Sequence, residues 1–132
     1  MPTVFSKIIS GEIPAYKVAE NDNFLAFLDV NPLCAGHTLV IPKQEVDWIF
    51  DLEDQMFSDL HLFAKKVALA IKATVPCIKV GVAVIGLEVP HAHIHLVPMN
   101  AIADLNFAGP RAHFSADEFA LLAEKIASKI VF

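Results

Sequence analysis

Three histidines at alternate positions, His91, His93 and His95, stand in the run Pro90-His91-Ala92-His93-Ile94-His95-Leu96-Val97-Pro98. An imidazole at every second residue has the period of an extended strand, which turns the rings to one face and the intervening small and apolar residues to the other. Three readings fit such a face. The plainest is a strand whose polar side is histidine. The second is a metal site; alternate residues lie about 6.5–7 Å apart, which argues against all three rings holding one ion but leaves two of them with His37 or His61 as a zinc set. The third is nucleophilic catalysis on phosphorus by one imidazole, with its neighbours binding the phosphate and fixing the tautomer. An unperturbed pKa near 6.5 leaves such a ring largely neutral, and so nucleophilic, at pH 7.

Rings on a strand need a sheet and helices to hold them. Thr3 to Ile9 reads as a short helix stopped by Ser10-Gly11 and Pro14. Tyr16 to Ala19, Phe24 to Val30 and His37 to Ile41 read as strands punctuated by Asn21-Asp22-Asn23, Asn31-Pro32 and Pro42. Met56, Phe57, Leu60, Phe63, Ala64, Val67 and Ile71 recur at helical spacing within Glu53 to Ala73. Ile78 to Ile85 and Ala92 to Met99 follow as two more strands, split by Gly86 and Pro90. Ser115 with Glu118 forms a capping box, and Phe114 with Phe119 a hydrophobic staple, for a helix from Ala116 to about Ile130. The expectation is an α+β domain with a mainly antiparallel sheet, helices on one face and a pocket on the other. An apolar edge strand would be covered by a second copy.

The bulk numbers narrow the partners. A chain of 132 residues has the size of one domain, so residues 1–132 are read as a single unit. At 55% hydrophobic and 19% charged it is apolar for its size, yet the densest run, Val80 to Leu87, is bounded by Lys79 and Glu88, so no membrane span is expected. The start has no basic segment followed by an apolar one, and Cys34 and Cys77 form no close pair; both suit free thiols and a cytoplasmic location. A net charge of −5 without a Lys/Arg cluster argues against a nucleic acid polymer and allows a small anion held by a few oriented donors.

The histidine run resembles the motif of the histidine-triad family, in its nucleotide-hydrolase branch. The likeness extends to Val4 to Pro14, to Phe27-Leu28-Asp29-Val30-Asn31-Pro32 and to Gly36-His37-Thr38-Leu39-Val40-Ile41-Pro42-Lys43, in the family's order, over about the first three quarters of the chain. What the resemblance implies is a five-stranded antiparallel sheet paired across a homodimer, with a nucleotide pocket in each protomer. His93 matches the nucleophile, His95 and His37 the phosphate contacts, and His91 a residue that orients its neighbours. Asp29 matches the position that binds the ribose hydroxyls; read on its own it is a strand-end Asp opening the Asn31-Pro32 turn. Phe5, Ile8, Phe27 and Val30 resemble the walls around the base, and without the family they are core residues.

Three positions depart from the family's pattern. Where many members carry Gln and then Ser or Thr before the triad, this chain has Leu87 and Glu88 after Gly86, and an expected Asn or Gln falls on Val80. Glu88 either gives a proton to a leaving amine or lies outward in solvent. The cysteine pairs with which some relatives bind zinc are missing, so no metal and no cofactor are expected. Histidine at position 95, where sugar-transferring members have Gln, favours hydrolysis. The expected activity is cleavage of nucleoside phosphoramidates or related nucleotides at the α-phosphate through a nucleotidyl-histidine. The alternatives are a nucleotide-binding regulatory protein with weak catalysis and a dinucleoside polyphosphate hydrolase.

Overall fold

The computed structural model describes residues 2–132. Thr3 starts the first helix, α1 (Val4–Ser10): its Oγ1 accepts from the Ser6 N–H at 3.1 Å, and its own N–H donates to Ser6 Oγ at 3.0 Å. Gly11, at φ 87°, closes the helix by donating to the Ile8 carbonyl. Four of the five strands follow the expected positions closely: β1 (Lys17–Glu20), β2 (Phe24–Leu28), β3 (Thr38–Pro42) and β4 (Lys79–Ala83). The fifth, β5 (Ile94–Met99), begins two residues later than expected. The reason lies in the ladder. The Ala92 N–H donates to the Val46 carbonyl, beyond the end of β3, so residues 91–93 lead into the strand without belonging to it.

The sheet order is β1-β2-β3-β5-β4, antiparallel throughout. Strands β2 and β3 are buried on both faces, so side-chain parity decides which core each residue joins. Even-numbered Ala26, Leu28, Val40, Ile94 and Leu96 pack under α2 (Asp54–Thr74) and α3 (Ala116–Ala127). Odd-numbered Leu25, Phe27, Leu39 and Ile41 form a second core with Phe5 and Ile8 of α1. The two long helices thus occupy one face, as expected. The short α1 packs on the other, beside the histidines.

The last helix starts as the sequence indicates, with Ser115 Oγ accepting from the Glu118 N–H, Glu118 Oε1 accepting from the Ser115 N–H, and Phe114 edge-on to Phe119 at 5.6 Å. It stops at Ala127 and not near Ile130. Ser128 Oγ donates to the Lys125 carbonyl, and the next two N–H groups turn back by three residues, which tightens and ends the helix. Trp48 is 60% exposed and stands edge-on to Phe50, which is 66% exposed.

One turn depends on a missing side chain. Gly36, immediately before His37, has φ +93°, and a Cβ there would meet Val75 Cγ2 at 2.9 Å and Pro98 Cγ at 3.1 Å. Gly36→Ala is therefore expected to cost about 2–4 kcal/mol, from left-handed strain and overpacking together. Urea unfolding measures it, and a loss below about 0.5 kcal/mol would show that the turn relaxes freely.

Candidate active site

Parity places the chemistry as well as the core. Asp29 continues the odd face of β2 and His37 enters that of β3. His95 lies opposite Leu39 in the β3–β5 register. A cleft of about 300 Å³ opens over this face and is lined by Phe5, Asp29, Leu39, Glu88, His93, His95, Phe107 and Arg111, among others. A larger hollow of about 420 Å³ beside Cys34, Asn100 and Asp104 contains no histidine. Burial pushes the Cys34 thiol upward, so it stays protonated there.

The hydrogen bonds fix the tautomer of each ring. His93 Nδ1 lies 2.7 Å from the His91 carbonyl, which can only accept, so Nδ1 carries the proton. The lone pair on Nε2 is then free. Phe5 packs edge-on to the His93 ring at 5.0 Å, and burial lowers the ring's pKa, which keeps it neutral. A neutral, oriented imidazole with a free nitrogen in a cleft is suited to nucleophilic attack.

His95 and His37 form a chain. The Leu33 N–H donates to His37 Nδ1 at 3.0 Å, so the His37 proton sits on Nε2. That Nε2–H donates to His95 Nδ1 at 3.0 Å, and His95 is left with an Nε2–H donor. Both rings are neutral at pH 7. Burial, then the Arg111 charge and His93, push His37 down to about 4. Burial, then His93 and His37, push His95 down to about 3. His95 is a neutral N–H donor at the cleft. His37, 1% exposed, does not reach the cleft, because its second nitrogen is spent on His95. It holds His95 and is not among the residues that line the cleft.

His91 does not share the cleft either. Its Nε2–H donates to the Pro42 carbonyl at 2.8 Å, and its Nδ1 accepts from the Thr3 hydroxyl at 3.2 Å. The ring clamps the start of α1 to the end of β3, while its backbone carbonyl orients His93. The face of three rings expected from the spacing is thus a face of two, because both nitrogens of the His91 ring are taken up by Pro42 and Thr3.

Asp29 performs the structural task and also faces the cleft: Oδ1 accepts from the Asn31 N–H at 2.8 Å, opening the turn, while Oδ2 lies 3.6 Å from His37 Nε2. Of the four expected base walls, only Phe5 lines the cleft. Ile8 and Phe27 are buried in the second core behind it, and Val30 is 67% exposed between Asp29 and Asn31. Glu88 lines the cleft and is exposed, which joins its two readings. Val80 packs against the α2 side, so its departure from the family pattern does not touch the cleft. His61 is exposed and donates to the Phe57 carbonyl, and His113 is exposed outside the cleft.

Sequence reading missed Phe107 and Arg111. Phe107 lies 4.6 Å from the His95 ring, and Arg111 stands over Phe107 at 5.8 Å. Neither follows a periodic run, and no local spacing connects them with the histidines. For a metal, the ligand atoms of Asp29, His37 and His95 lie within 4.8 Å of one another. Binding an ion there requires His37 Nε2 to lose its proton and the His37–His95 bond to break.

Comparisons with known proteins place the chain in a family. The family model described as HIT domain matches residues 10–102. The chain is 36% identical over 132 residues to the adenosine 5'-monophosphoramidase of Schizosaccharomyces pombe, covering 98% of this chain and 99% of that one. Its fold matches a Hit-like protein from Bartonella henselae with a TM-score of 0.84 at 27% identity, over 97% of this chain and 96% of that one. A Zn-bound histidine triad family protein from Mycobacterium smegmatis gives a TM-score of 0.79 at 29% identity, over 95% and 93%.

The two histidines pushed furthest down, His37 and His95, couple stability to pH. Above pH 6.5 both are neutral whether the chain is folded or unfolded; below it the unfolded chain takes protons that the folded one refuses. Stability is expected to fall by about 1.4 kcal/mol per pH unit per ring as pH drops from 6.5 towards 4. His95→Gln should flatten that slope between pH 6.5 and 5 in urea unfolding. An unchanged slope would mean that His95 accepts a proton in the native state.

Proposed function

The chain belongs to the HIT domain family, and on that footing we propose that it is a nucleotide hydrolase that cleaves nucleoside phosphoramidates at the α-phosphorus through a nucleotidyl-His93 intermediate. The observation that carries this reading is the His93 Nδ1–H bond to the His91 carbonyl, which presents Nε2 to the cleft as a lone pair. The name of the S. pombe relative supports the substrate class, with adenosine as the first nucleoside to try.

In the first step His93 Nε2 bonds to phosphorus and the P–N bond breaks. Its electron pair leaves with the amine, which takes a proton from water at the mouth of the cleft. The substituted ring is now a cation, stabilised by the His91 carbonyl that accepts its Nδ1–H. His95 Nε2–H donates to a phosphate oxygen as charge builds on it. In the second step water attacks phosphorus, the pair returns to Nε2, and a nucleoside monophosphate leaves with a proton lost to solvent. Asp29 accepts from the ribose hydroxyls through the oxygen not held by Asn31, and Phe5 packs on the base.

Residues 1–132 are read as one HIT domain acting in the cytoplasm, with no cofactor. The outer edge of β4 supports pairing with a second copy: Val82 is 58% exposed and the flanking Ile78 65%. Sedimentation should give twice the monomer mass, and Val82→Glu should lower it; a wild-type monomer removes the dimer.

His93→Ala is expected to lose about 10³-fold or more in phosphoramidate turnover. Mass spectrometry of the quenched wild-type reaction should show one added nucleotidyl group, absent from the variant. No adduct together with unchanged turnover in His93→Ala overturns the reading and leaves nucleotide binding alone. EDTA should leave turnover intact, whereas a metal-dependent hydrolase would lose it.

A further inference from the structure

Arg111 lies beyond the matched family residues 10–102, on the segment that joins β5 to α3. Among the residues lining the cleft it is the only lysine or arginine. Its side chain is held in place: Nη1–H donates to the Asn31 carbonyl at 3.0 Å and Nη2–H to the Phe107 carbonyl at 3.1 Å. A further bond, from the Ala112 N–H to the Pro32 carbonyl at 2.8 Å, ties this segment to the turn after Asp29. The remaining guanidinium N–H groups stay available for a ligand. Beneath the guanidinium, the ring of Phe107 also packs on His95, so the charge and the His95 donor are set by one aromatic residue.

The charge balance of the cleft gives this arrangement its significance. Asp29 and Glu88 contribute carboxylates to the lining, while His93 and His95 are held as neutral tautomers by their partners. A substrate phosphate adds further negative charge. The side chains of Leu87 and Glu88, which also line the cleft, offer no donor. Without Arg111 an anion would enter a cleft lined by two carboxylates and no fixed cation.

We propose that Arg111 is a phosphate-binding residue of this cleft, donating to a non-bridging oxygen of the substrate and supplying the donor that the side chains of Leu87 and Glu88 do not offer. The inference rests on the nucleotide reading of the cleft and adds the group that recognises the anion. Guanidinium and phosphate match in planar, two-point hydrogen bonding, so lysine should substitute only in part.

The test separates phosphate binding from stapling of the loop. Calorimetric titration of wild type, Arg111→Met and Arg111→Lys with AMP and with adenosine gives the affinity for the same nucleoside with and without its phosphate. Arg111→Met should weaken AMP by about 10–100-fold, change adenosine by less than about twofold, and cut phosphoramidate kcat/KM by about 10²–10³-fold. Arg111→Lys should fall between. Equal weakening of AMP and adenosine would make Arg111 a structural staple and overturn the proposal, as would unchanged AMP binding. If wild type shows Arg111-dependent AMP binding but no turnover, the hydrolase reading fails and the phosphate role stands. If wild type binds neither ligand, both fall.

Discussion

The site depends on one hydrogen bond, from His93 Nδ1–H to the His91 carbonyl at 2.7 Å. Neutral imidazole has one proton and two nitrogens, so pinning that proton on Nδ1 is what leaves a lone pair on Nε2. A backbone carbonyl two residues away suits this purpose, because it cannot donate and cannot rotate independently of the chain. It must still be held, and the His91 ring holds it, bonded on one side to Pro42 at the end of β3 and on the other to Thr3, which also caps α1. Helix capping, strand end and the orientation of the His93 ring are therefore one connected assembly.

Burying four imidazoles would be costly if any nitrogen lacked a partner. Among the described residues no buried side-chain nitrogen or oxygen is left unpaired. The chain Leu33 to His37 to His95 passes donor to acceptor in one direction and ends in an N–H at the cleft. The order of that chain follows from its first member, since a backbone N–H can only donate. It also accounts for why the rings stay neutral: a proton added to His37 or His95 would set two donors face to face.

The positive charge in a cleft built from neutral histidines and two carboxylates comes from elsewhere in the chain. The segment between β5 and α3 brings it, fastened to the Asn31-Pro32 turn by Arg111 and Ala112. That same turn is opened by Asp29, so the group suited to ribose and the cation suited to phosphate are fixed to a common stretch of backbone. The two-sided sheet makes this possible: α2 and α3 provide the larger core on the even face, and the odd face is free to carry polar side chains and α1.

The order of helices and strands was legible in the sequence because each element has its own local cause: the helical spacing of α2, the Ser115–Glu118 box of α3, and the alternation of β5. The residue proposed as nucleophile was legible too, because the resemblance singled out His93 within the run that alternation had marked. What the sequence could not hold was the partner of each ring. His91 and His37 look equivalent to their neighbours along the chain, yet one faces Thr3 and Pro42 and the other Leu33 and His95. Ile8 and Phe27 carry side chains suited to a base wall and fill the core instead, while Arg111 enters the cleft from far along the chain. Local periodicity records which face a residue takes; only the assembled sheet decides which groups from distant segments meet there and where each proton must sit.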